Sequence, residues 1–191
     1  MYRISAIIVL AFFYGIYFVK LLVQKRHGIK TNQIGSRREK KLHTVECFMV
    51  AATVLIVVFQ FISIAFDLNY MPGLIRIIGF VIGLSGDFVF LGAVLSMKNN
   101  WRAGIPKKAE TKIVTGGIYK FSRNPAFLGF DLMYFGVFLM YANVLTGIFT
   151  AFAVVMLHLQ ILQEEKYLLS VFGERYQTYR KKVFRYLGRK R

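Results

Sequence analysis

Three predominantly apolar stretches, Ile4–Val23, Cys47–Phe66 and Leu74–Met97, each match the roughly 20 residues that a helix needs to cross a bilayer. A fourth, Ala126–Leu162, carries one acid (Asp131) and one histidine (His158). It is long enough for a helical hairpin, with Tyr141-Ala142-Asn143 as the polar break near its middle. A hydrophobic share of 56% does not decide the class by itself, because soluble domains come close to it. The arrangement decides it. The expected fold is an all-α integral membrane protein of about five transmembrane helices. The last two form a tight hairpin, the fourth is short, and an amphipathic C-terminal tail follows.

The chain has 26 Lys and Arg against nine acids, a formal charge of +17. Seven of the basic residues lie in Gln24–Leu42, seven in Lys98–Arg123 and nine in Lys166–Arg191. With five spans these segments fall on one side, which the positive-inside rule makes the cytoplasm. The N-terminus is then outside and the C-terminus cytoplasmic, in the cell membrane of a bacterium or the endoplasmic reticulum of a eukaryote. The charge therefore reads as a topology signal with some attraction to anionic lipid, not as a nucleic-acid surface. The polar loop 24–44 is a solvated cytoplasmic segment. The single cysteine, Cys47, excludes an internal disulfide and a cysteine-based zinc site, and no metal is expected. The first apolar run lacks a small-x-small cleavage site and reads as a retained span.

Gly79 and Gly83 in the third span have the small-residue spacing of closely packed helices. Asp87 and Asp131 are ionisable residues inside spans, where a partner or a cavity is expected. Trp101 is the only tryptophan. It suits an interfacial anchor, and Arg102 beside it suits an anionic group. His158 and Glu165 are seven residues apart and share a helical face.

The segment Gly116–Pro125 leads from a basic loop straight into the hairpin. Its glycine pair permits unusual backbone geometry. Asn124-Pro125 reads as a helix start, and such an end attracts anions. Arg123 adds a full charge. Glu164 and Glu165 close the last span. Neighbours on a helix diverge by about 100°, so both cannot point into one pocket.

The second half resembles the isoprenylcysteine carboxyl methyltransferase and phospholipid methyltransferase superfamily. The resemblance runs through Asn100–Ile105, Thr115–Gly129, Glu164–Leu169 and Phe172–Tyr179. Phe127 stands where the pattern often has tyrosine, and the tail Val183–Gly188 lacks the usual prolines. The resemblance implies a division into residues 1–98, holding spans one to three, and residues 99–191, a methyltransferase core. That core comprises loop 99–125, hairpin 126–162 and tail 163–191. It also implies S-adenosylmethionine as cofactor. Gly117, Tyr119, Arg123, Asn124, Pro125, Phe127, Leu128, Glu164, Glu165 and Tyr176 would bind it, and Arg102, Arg123 and Glu165 would act in catalysis.

The cofactor's chemistry suits these residue types. Arg123 and the helix start match its carboxylate, Glu164 or Glu165 its ammonium, and Phe127, Tyr119 or Tyr176 its adenine or sulfonium. The expected reaction is methyl transfer to the carboxylate of a prenylated cysteine or similar lipid-linked acceptor. Alternatives are phospholipid N-methylation, an NADPH-dependent reductase of the sterol-reductase type, and a non-enzymatic scaffold. The oligomeric state is open.

Overall fold

A computed structural model describes residues 1–29, 31, 40–102 and 112–190. Parts of the basic loop 24–44 and of the Asn100–Ile105 block lie outside these residues. Five α-helices are described: α1 (Tyr2–Arg26), α2 (Lys40–Ala65), α3 (Gly73–Met97), α4 (Pro125–Met140) and α5 (Val144–Lys182). The segments Tyr2–Arg26, His43–Ala65, Gly73–Asn100 and Val144–Lys182 are long and apolar enough to cross a membrane. The chain is thus an all-α, multi-pass membrane protein. α4, at 16 residues, spans about 24 Å at 1.5 Å per residue, short of the hydrocarbon core as expected.

The helices pair unevenly. α3 and α4 meet backbone to backbone along a glycine seam. A Cβ added to Gly79 would stand 2.6 Å from the Gly136 carbonyl oxygen, and one added to Gly86 would stand 2.7 Å from the Met133 nitrogen. Any side chain at these positions would push the helices apart, which accounts for the Gly79/Gly83 spacing. Phe13 of α1 stacks on Phe90 of α3, with ring centroids 4.5 Å apart.

The hairpin turn is as short as expected. Asn143 caps α5 through a reciprocal pair with Thr146, and its amide also donates to Ser63 of α2. From that turn the two arms take different main partners: α4 follows α3 and α5 follows α2. α1 and α2 barely touch each other, and this leaves an opening on that flank.

The chain reverses after α5. Gly173, with φ +50°, kinks that helix in the left-handed region that glycine tolerates. The last turns can then swing back over the loop before α4. Val183 and Arg189 form an antiparallel bridge, and the Gly188 N–H donates to the Phe121 carbonyl at 2.7 Å. Instead of lying free along the membrane, the tail is clipped onto the Gly116–Pro125 segment.

Candidate active site

That clip builds a buried ion cluster. Gly117 takes φ +59° and fits against Ser96 of α3, where a Cβ would collide with the serine hydroxyl. It opens a short 3-10 turn, Gly117–Lys120, whose Tyr119 carbonyl accepts from the Tyr179 hydroxyl at 2.7 Å. The chain then presents Arg123 and Asn124 to α5. One Glu165 oxygen meets the Arg123 guanidinium at 3.2 Å and accepts from the Asn124 amide at 3.1 Å. The other accepts from Nε and Nη2 of Arg185 at 3.2 and 3.0 Å. The Glu165 and Arg123 side chains are each 7% exposed, so this is a charge pair largely withdrawn from water. Both Arg185 nitrogens converge on that one oxygen, and these charge-assisted hydrogen bonds hold the Arg185 guanidinium above its ordinary pKa.

Two guanidiniums face one carboxylate, so the cluster carries a net positive charge. Arg123 Nε and Nη1 are buried and bonded to no described group, as is the Tyr176 hydroxyl. Burial, then the neighbouring Tyr179 and Glu164, push the Tyr119 phenol well above its usual range. Asn124 takes the N-cap position of α4, but its side chain does not cap. The amide instead serves Glu165 and the Arg185 carbonyl. The Asn124 N–H is met by the Ser122 hydroxyl.

Glu164 turns the other way. It lies on the wall of an apolar cleft of about 580 Å³ that reaches the α1/α2 flank and is lined by all five helices. It is the one charged residue on that wall among the described residues, and it accepts from the Gln160 amide at 3.2 Å. Aromatic rings of Tyr14, Tyr17, Phe90, Trp101, Phe127 and Phe130 dominate the surroundings. Val54, Val58 and Phe61 form an exposed rim on α2. The ion cluster and the cleft are neighbours in the chain at two points: Asn124-Pro125 precedes Phe127, and Glu164 precedes Glu165.

The sequence profile of the phospholipid methyltransferase family matches residues 75–175, just over half of the chain. The chain belongs to that family. It is also similar to a protein-S-isoprenylcysteine O-methyltransferase of Schizosaccharomyces pombe, with 39% identity over 72 residues. That match covers 37% of this chain and 30% of the relative. A second relative, protein-S-isoprenylcysteine O-methyltransferase B of Arabidopsis thaliana, is 29% identical over 143 residues, 70% of each chain. The family region takes in the glycine seam, the Gly116–Pro125 segment and both glutamates.

Of the residues expected at the site, Arg123, Asn124 and Glu165 come together directly. Pro125 starts α4, and the Leu128 N–H donates to the Asn124 carbonyl. Phe127 and Glu164 face the cleft. Tyr176 packs with Tyr179 and Val183 under the tail, within electrostatic reach of Glu165, Arg123 and Arg185. The Arg102 guanidinium donates to the Asn99 and Trp101 carbonyls, and none of the hydrogen bonds described for Glu165 reaches it. Trp101 is buried against Tyr17 and Phe90, so the interfacial-anchor reading is corrected. His158 hydrogen-bonds the Tyr186 hydroxyl at 2.7 Å. Asp87 is buried away from the cleft with both oxygens unbonded. Arg185, Ser122 and Gln160 were not foreseen. Arg185 is one of nine basic residues in the tail, and nothing in the linear charge pattern distinguishes it.

Proposed function

We propose that this protein is an S-adenosylmethionine-dependent methyltransferase acting on a lipid-linked acceptor, with the carboxylate of a prenylated cysteine as the leading acceptor. The carrying observation is the junction of two unlike compartments. An apolar cleft opening on the membrane flank ends beside a buried polar cluster with net positive charge. A lipid chain enters sideways between α1 and α2, while its head group stops at the polar end. The names of the two relatives support the prenylcysteine reading, and the family profile supports methyl transfer over the reductase alternative.

The residues fit the cofactor. The unbonded Arg123 nitrogens, with the net positive charge around them, suit its carboxylate. The aromatic wall and Glu164 suit a sulfonium or ammonium. When bound, the cofactor supplies the electrophilic methyl group. The protein aligns the acceptor with that methyl and keeps water away. A carboxylate is already ionised at neutral pH and needs no base, and Arg102 beside Trp101 places positive charge near it. The expected orientation puts the basic face, and the site with it, in the cytoplasm.

A second reading, N-methylation of a phospholipid amine, is favoured by one observation: the charge on the cleft wall is an acid among aromatic rings, which suits a cationic head group. Ligand-linked stability tests the shared part of both readings. S-adenosylmethionine at 100 times its Kd stabilises by about 2.7 kcal/mol, so it raises the melting temperature of the detergent-purified protein and NADPH does not. A rise with NADPH alone would overturn the proposal.

A further inference from the structure

We infer that the basic face carries a second binding site, selective for a phosphate group, between the loop before α4 and the last turns of α5. It goes beyond the methyl-transfer reading and does not depend on it. A concavity of about 500 Å³ is walled by Arg175, Thr178 and Lys182 of α5, Thr115 and Lys120 of the loop, and Arg189 of the C-terminal turn. Positions 175, 178 and 182 follow the i, i+3, i+7 spacing that lines one helical face. The loop is drawn to that face by the Tyr179 hydroxyl on the Tyr119 carbonyl. Arg189 is drawn there by its bridge to Val183 and by the Lys190 N–H on the Lys182 carbonyl at 2.9 Å. Three separately positioned parts of the chain thus deliver four cations and two hydroxyls to one hollow.

No acid lines this hollow among the described residues. That sets it apart from the three arginines with a described ion pair. Arg76 has Asp67, and Arg123 and Arg185 share Glu165. Here four like charges gather with no described carboxylate among them, an arrangement that an anion from outside relieves. Phosphate matches the donor set, because its oxygens accept from guanidinium, ammonium and hydroxyl groups together. The ligand is either the head group of an anionic lipid or a soluble phosphate compound. Once bound, it ties the loop to the tail. Both segments run on to the Glu165 cluster, through Ser122 and Arg185, so occupancy stiffens that closure.

The test is thermal unfolding of the full chain with phosphate-bearing probes. In detergent, inorganic phosphate and pyrophosphate are compared with chloride at equal ionic strength. In bilayer discs, phosphatidylglycerol is compared with phosphatidylcholine. The wild type is set against Arg175→Gln/Lys182→Gln. The control is Arg180→Gln/Lys181→Gln, which removes the same charge from the same helix outside the hollow. At least one phosphate probe should raise the melting temperature of wild type and control. The site variant should need about tenfold more of it, as expected for lost charge-assisted contacts. Stabilisation by pyrophosphate in detergent assigns a soluble ligand, and stabilisation confined to phosphatidylglycerol discs assigns a lipid head group. Should the double variant fail to fold, Lys120→Gln should lose part of the response. The proposal is overturned if no phosphate probe stabilises the wild type beyond chloride, or if site and control variants respond alike.

Discussion

Glu164 and Glu165 are consecutive residues of the same helix with opposite surroundings. Glu165 is enclosed by Arg123, Asn124 and Arg185, and both its oxygens are taken. Glu164 stands on an apolar, aromatic wall with a single amide from Gln160. The turn of about 100° per residue puts one acid in the framework and the other at the cleft. The difference separates two tasks that a paired-glutamate motif merges. Glu165 holds the Arg-Asn-Pro loop and the tail together, while Glu164 lines the cleft, where we propose that it meets the bound ligand.

Substitutions that disturb one acid and spare the other put this contrast at risk. The largest effect is expected from Glu165→Ala, which leaves the buried Arg123 charge without its counterion. Loss of one partner of a buried pair costs about 3–5 kcal/mol, so the melting temperature should fall sharply and methyl transfer with it. A melting temperature equal to wild type would remove Glu165 from the framework. Glu164→Gln should do the reverse. It keeps the shape and relieves a carboxylate of its apolar surroundings, so stability should hold or rise, while turnover falls about tenfold or more for the loss of one charge interaction worth about 1.4 kcal/mol. Equal loss of stability in both variants would erase the distinction.

Arg185→Lys tests the clasp more gently. Lysine keeps the charge but brings a single nitrogen to the carboxylate, so about 1 kcal/mol of stability should go. KM for the methyl donor should rise more than kcat falls. The smallest effect is expected from Val54→Trp on the α2 rim. It narrows the cleft entrance and should raise KM for the lipid acceptor severalfold, with donor binding unchanged in calorimetry.

The sequence made some of this legible and hid the rest for physical reasons. Span positions could be read because a bilayer imposes length and hydropathy on each helix. The Gly79/Gly83 spacing announced a close helix pair, and the partner surface, Gly129 and Gly136, came only with the fold. Arg123 and Asn124 stood out because a polar, helix-starting segment before a hairpin is unusual. Arg185 did not, since one guanidinium among nine basic tail residues acquires its role only when the kink at Gly173 and the Val183–Arg189 bridge bring it back. Helical geometry showed that Glu164 and Glu165 must diverge. Which of them faced the cleft depended on how α5 is rotated against α2 and α4, and that is set by packing. Asn124 shows the converse error: the residue type indicated a capping side chain, and the buried Glu165 carboxylate claimed that amide instead.

The most direct test of the account is transfer of labelled methyl from S-adenosylmethionine in membranes containing the protein, followed by lipid extraction and mild alkali. Label that enters the lipid-soluble fraction and is released by alkali as methanol is the predicted result, because a methyl ester hydrolyses there. Label that enters that fraction but stays non-volatile after alkali, as an N-methyl group does, would replace the carboxylate with an amine acceptor. No transfer to any lipid-soluble acceptor, from protein shown to bind the donor, would contradict the central claim.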